Sequence, residues 1–80
     1  MERIKKDKLE GWKRKELNFP GISWIYIKTI NANYTLVLTR WERNFITIDL
    51  HKDNQLYKSI DLDDYDSLDE LVKHLTILYD

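Results

Sequence analysis

Between Ser23 and Leu62 apolar and polar residues alternate in four runs: Ser23 to Ile30, Tyr34 to Trp41, Phe45 to His51 and Gln55 to Leu62. A period of two, carried by Ile, Thr, Leu and aromatic residues, is the pattern of strands with one face buried, because successive side chains leave a strand on opposite sides. The separators Asn31-Ala32-Asn33, Glu42-Arg43-Asn44 and Lys52-Asp53-Asn54 each end on asparagine. Asparagine tolerates the left-handed backbone that closes a three-residue hairpin loop, so the runs predict three tight hairpins and an antiparallel meander of order 1-2-3-4.

After Leu62 the period changes to about 3.6. Leu68, Leu71, Val72, Leu75 and Leu78 fall on one helical stripe, and Ser67-Leu68-Asp69-Glu70 fits a capping box, which predicts a helix from Leu68 to about Tyr79. The expected fold is therefore α+β: a four-stranded antiparallel β-meander with a C-terminal helix packed on one face. Residues 1–18 form a basic N-terminal segment, for which a weak helical stripe of Ile4, Leu9 and Trp12 and an extended stretch from Trp12 to Phe19 are both open, and residues 19–80 a ββββα domain, together one folding unit. Pro20-Gly21 marks the boundary.

The aliphatic positions predict the buried face: Leu36 and Leu38, then Ile46, Ile48 and Leu50, then Leu56, Ile60 and Leu62, with Ile25 and Ile27 assigned to the same side. The opposite face is then expected to carry Trp24, Tyr26, Thr35, Val37, Trp41, Phe45, Thr47, Asp49, His51 and Tyr57. Five aromatics form a patch larger than a monomer ordinarily leaves bare. Three occupants are open: the N-terminal segment through Ile4, Leu9, Trp12, Leu17 or Phe19; a second copy in a symmetric dimer; or a macromolecular partner anchored on tryptophan and tyrosine.

Charge changes this picture in one respect. Thirteen Lys and Arg against 14 Asp and Glu leave a net charge of −1, but residues 1–18 hold seven bases and four acids. Six acids fall between Asp61 and Glu70 with no base among them. The front is basic and the back acidic, and each segment reads first as a solvated surface. Asp61, Asp63, Asp64 and Asp66 are candidates for docking a basic partner. A calcium loop does not fit them, since Asp61-Leu62-Asp63-Asp64-Tyr65 breaks the ligand series and no glycine follows.

Candidate chemistry is sparse. There is no cysteine, and the two histidines, His51 and His74, lack metal-ligand spacing. Two glycines cannot build a phosphate-cradling loop, and no serine sits in a nucleophile motif. Asp49 and His51 share a strand face at i, i+2, which is common for polar strand residues. The expectation is no enzymatic activity, no catalytic or metal residues and no cofactor.

No apolar run reaches the length of a membrane span and no signal-like segment follows the charged start, so a cytoplasmic protein without membrane contact is expected. Ile, Lys, Asn and Tyr total 28 residues against four Ala, Gly and Pro, which points to an A/T-rich genome and suits a phage or mobile-element accessory gene. A G+C-rich locus would remove that reading.

Gly11-Trp12-Lys13-Arg14-Lys15-Glu16-Leu17-Asn18 and Lys58-Ser59-Ile60-Asp61-Leu62, 13 residues in all, resemble the small single-stranded-DNA-binding coactivator domains of the transcriptional positive-cofactor type. That resemblance implies a dimer whose sheet binds unpaired strands through basic and aromatic side chains, here Lys13, Arg14, Lys15, Trp24 and Trp41. The acidic helix entrance departs from it. The first expectation is thus a small protein-binding module of the inhibitor or accessory type, docking through Trp24, Tyr26, Trp41, Phe45 and Tyr57 or through the acidic run. The second is a single-stranded nucleic-acid-binding ββββα domain.

Overall fold

The computed structural model describes Leu9, residues 11–16 and residues 19–79. Five antiparallel strands, not four, lie in sequence order: β1 Lys13–Lys15, β2 Ile22–Thr29, β3 Tyr34–Trp41, β4 Phe45–Lys52 and β5 Gln55–Ile60. A 3-10 turn over Leu62–Asp64 leads into the helix α1, Leu68–Tyr79. The additional strand, Lys-Arg-Lys, has no apolar alternation, since it pairs through its backbone at the sheet edge, Lys13 opposite Ile27 and Lys15 opposite Ile25. Gly11 (φ 82°) stands ahead of β1, and Gly21 (φ 88°) ends the connection that returns the chain from β1 to β2. Positive φ of this size is open to glycine at little steric cost.

Each hairpin is closed differently. Asn44 (φ 70°) ends the β3–β4 loop as expected, with its N–H donating to the Trp41 carbonyl at 3.0 Å. The β4–β5 turn is one residue shorter than expected: Lys52 pairs with Gln55, and Asp53 (φ 52°) and Asn54 (φ 68°) supply the two positive φ angles of a two-residue hairpin. The β2–β3 turn needs no left-handed Asn33. The Asn31 side-chain oxygen accepts from the Asn33 N–H at 2.9 Å and the Tyr34 N–H at 3.1 Å, substituting for a backbone turn.

Register decides which side chains enter the core. The Ile30 N–H donates to the Tyr34 carbonyl across the first turn, so counting outward sets Tyr26 opposite Leu38 and Ile25 opposite Thr39. Trp24 and Tyr26 consequently share the face of Leu36 and Leu38, while Ile25 and Ile27 lie on the other side. This inverts the expected faces of β2, as a shift of one residue must, although Ile25 is itself buried on its own side. β5 holds a second correction. Leu50 pairs with Lys58 and His51 with Leu56, leaving Tyr57 as an extra residue in a bulge. Leu56 is turned away from the core and is 65% exposed, while Tyr57 joins Tyr34 and Tyr79 on the helix side.

The core lies between the sheet and α1. Leu36, Leu38, Leu50 and Leu71 are fully buried, with Ile48, Leu62, Leu75 and Leu9 beside them. Burial of each such side chain contributes about 1.5–3 kcal/mol. Trp12, Trp24, Tyr26 and Tyr34 pack against this cluster, and Trp24 meets Tyr26 edge to face at 5.2 Å. Leu9 and Trp12 of the N-terminal segment thus enter the core on the helix side. Phe19 is exposed, and Ile4 and Leu17 lie outside the described residues.

Ser67 caps α1 as expected: its Oγ accepts from the Glu70 N–H at 3.2 Å and its carbonyl from the Leu71 N–H. Leu68, Leu71, Val72, Leu75 and Tyr79 face the sheet, whereas Leu78 is exposed. Among the described residues, no helix is long and apolar enough to cross a membrane.

Candidate functional site

The face turned away from α1 is the outer face. Alternation places Ile25 and Ile27 of β2 there, then Thr35, Val37, Thr39 and Trp41 of β3, and Phe45, Thr47, Asp49 and His51 of β4. β1 adds Lys13 and Lys15 at one margin, beside Ile27 and Ile25, and β5 adds Leu56 and Ser59 at the other. Among the described residues no helix or second sheet is layered on it, because α1, Leu9 and Trp12 all pack on the inner side.

Two aromatic rings dominate one end. Trp41 and Phe45 are directly opposite across the β3–β4 hairpin, stacked at 5.9 Å with 17° between their planes. The Trp41 indole N–H donates to Thr47 Oγ1 at 2.9 Å, which satisfies its polar atom and fixes the ring. The hairpin beneath is held by an Arg40 to Asn44 side-chain hydrogen bond and by the Glu42 N–H donating to the Gly21 carbonyl at 2.9 Å. Toward the other end, Lys15, Ile25, Ile27, Thr35, Val37, His51 and Asn54 line an open depression of about 490 Å³.

The residues singled out from sequence do not form one surface. Trp41 and Phe45 stand on the outer face. Trp24 and Tyr26 are half-buried on the inner side. Tyr57 projects to the inner side at the β5 edge, with Lys52 Nζ 5.6 Å from its ring centre. The chain therefore divides its five aromatics because β2, and β5 as far as its bulge, present faces opposite to those that residue type suggested. Ile25, Ile27 and Val37, which shape the depression, take the vacated places. Their signal was present in the length of the first turn, which alone sets Ile30 opposite Tyr34.

The acidic run is distributed along the approach to α1. The Asp61 carboxylate accepts from the Asp63 N–H at 3.0 Å, capping the 3-10 turn. Asp63 and Asp64 lie in that turn's first residues, Asp69 and Glu70 in the first turn of α1, where negative charge is favourable toward the helix dipole. Asp61, Asp63, Asp64 and Asp66 are all exposed. Among the described residues, no group of three or more His, Asp or Glu is placed to hold a metal ion.

The two histidines differ in setting. His74 Nδ1 is 2.8 Å from the Tyr65 hydroxyl, which ties α1 to the segment before it. His51 lies in the outer-face depression, and among the described residues no hydrogen bond joins it to Asp49. In β1, Lys13 and Lys15 flank the outer face, while Arg14 points to the inner side and its Nε lies 3.7 Å from Glu16. Trp24 and Trp41, grouped from sequence as stacking platforms, lie on opposite faces of the sheet.

No protein-family model, curated protein or solved structure matches this chain.

Proposed function

We propose that this protein is a small non-enzymatic interaction module, of the accessory or inhibitor type, and that it docks on a protein partner through the outer sheet face. The observation that carries the reading is Trp41. Its ring is stacked on Phe45 and its indole N–H is already bonded within the chain, so it offers apolar area without a conformational or polar cost on binding. Around it the face holds Ile27 and Val37 and few charges, matching the charge-poor centre of protein interfaces. The exposed carboxylates from Asp61 to Asp66 add a second element, which would steer a basic partner toward the same molecule.

One observation favours the nucleic-acid reading: Lys13 and Lys15 share the outer face with Trp41, the pairing of cation and ring that unpaired strands use. Net charge of −1 and the acidic helix entrance weigh against it. The experiment is a photo-crosslinking residue placed at Phe45, with Ile77 on the solvent side of α1 as control, followed by an oligonucleotide titration. Protein adducts from position 45 alone, with no saturable oligonucleotide binding at physiological salt, are expected. Submicromolar, salt-sensitive binding lost on Trp41→Ala and on alanine replacement of Lys13 and Lys15 would overturn the proposal.

A further inference from the structure

The sheet has two edges, and they are unlike. β1 is three residues long and carries Lys-Arg-Lys, which resists pairing with another chain by charge and brevity. β5 is six residues long, carries one charge, Lys58, and is exposed along Gln55 to Ser59. Among the described residues it has a strand partner on one side only. An edge of this kind is a template for strand addition unless something blunts it.

The bulge at Tyr57 is that device against an ordinary strand. Tyr57 is the extra residue between the Leu50–Lys58 and His51–Leu56 pairs, and its ring meets Tyr34 and Tyr79, so two consecutive side chains project to the inner side, followed by Ser59 on the outer side. A regular strand meets this order of faces only with two residues against one, as β4 does, whereas a second copy of β5, with the same bulge, matches it residue for residue. From pairing with β4, and for Tyr57 from its contacts with Tyr34 and Tyr79, the inner residues are Gln55, Tyr57, Lys58 and Ile60, and the outer ones are Leu56 and Ser59. The order reads inner, outer, inner, inner, outer, inner, which is the same from either end.

We propose that β5 is a self-recognition edge, taking β5 of a second copy in antiparallel pairing about a two-fold axis between Tyr57 and Lys58. This register sets Tyr57 opposite the second copy's Lys58 on the inner side, Leu56 opposite Ser59 on the outer side and Gln55 opposite Ile60. Every opposed pair then shares a face. An axis through Lys58 would set that lysine against its own copy, and one through Tyr57 would oppose outer Leu56 to inner Lys58. Charge selects the same answer as geometry: each lysine meets a tyrosine ring, an attractive cation–π pair. The Tyr57 ring already stands beside Lys52 and packs on Tyr79, so it is held in place to receive it. The contact is isologous and closes at two copies, giving a continuous ten-stranded sheet. Six residues from each copy make a small interface, so association is reversible and concentration-dependent.

This proposal is independent of the outer-face reading, because the axis leaves both outer faces uncovered. The test uses the absence of cysteine in the chain. Leu56→Cys and Ser59→Cys are mixed under mild oxidation, and each is also oxidised alone. A covalent dimer from the mixture, at least tenfold more abundant than from either single variant, is expected. Sedimentation equilibrium of the unaltered chain should show mass rising from 9.8 kDa toward twice that value between micromolar and millimolar concentration. A constant monomer mass, or self-linking of Leu56→Cys or Ser59→Cys alone as abundant as linking in the mixture, would overturn the proposal.

Discussion

Asn31 ties together two points of the chain 48 residues apart: its side-chain amide donates to the Tyr79 carbonyl at 2.8 Å, at the C-terminal end of α1. The oxygen of the same side chain organises the β2–β3 turn by accepting from Asn33 and Tyr34. One residue thus closes a hairpin and satisfies a helix-end carbonyl that no intrahelical donor reaches. Nearby, Tyr79 packs on Tyr34 at 4.7 Å and on Tyr57 at 6.3 Å, so the helix end is held by two strands and the β2–β3 turn.

The two roles of Asn31 are separable. Asn31→Asp keeps the acceptor for the turn, loses the donor to Tyr79 and sets a negative charge at the helix C-terminus, where the dipole opposes it. We expect a loss of about 1–3 kcal/mol by urea unfolding. Asn31→Ala removes both roles and should cost at least as much. If both variants unfold with the parent, the link between turn and helix contributes nothing.

Burial should separate two residues of α1. Leu71 is fully buried and Ile77 is 73% exposed. Leu71→Ala should destabilise by about 2–5 kcal/mol through lost apolar contact and a residual cavity. Ile77→Ala should stay within about 0.5 kcal/mol of the parent. Equal melting temperatures for the two variants would contradict the orientation of the helix.

Gly21→Ala tests backbone strain without a steric contribution. Its φ is 88°, and a methyl group there would meet no atom within 4 Å. The expected loss is about 1–2 kcal/mol, the cost of holding an L-residue in left-handed backbone. Thermal unfolding measures it, and an unchanged midpoint would show that the β1–β2 connection relaxes freely.

The caps before and at the helix should act separately. Ser67→Ala removes the acceptor for the Glu70 N–H and should cost about 0.5–2 kcal/mol. Asp61→Asn retains a side-chain oxygen for the Asp63 N–H, whereas Asp61→Ala does not. Asp61→Ala should therefore destabilise more than Asp61→Asn in chemical unfolding. The reverse order would show that charge repulsion within the acidic run outweighs the cap.

By itself the sequence determined the local elements. Alternation from Ser23 onward set the four long strands, and Ser67 with the 3.6-residue stripe set α1 over Leu68–Tyr79. Each signal is carried by residues within one turn or one strand, so no distant contact is needed to read it. Tertiary structure decided the short edge strand and the faces. Lys13–Lys15 becomes β1 only because β2 offers it an open backbone edge, and its side chains record nothing of that pairing. The positions of Trp24, Tyr26, Leu56 and Tyr57 depend on a turn length and a bulge, and one residue in either reverses every side chain along the strand. Apolar character shows that a residue can be buried, but backbone register determines which side of the sheet it enters.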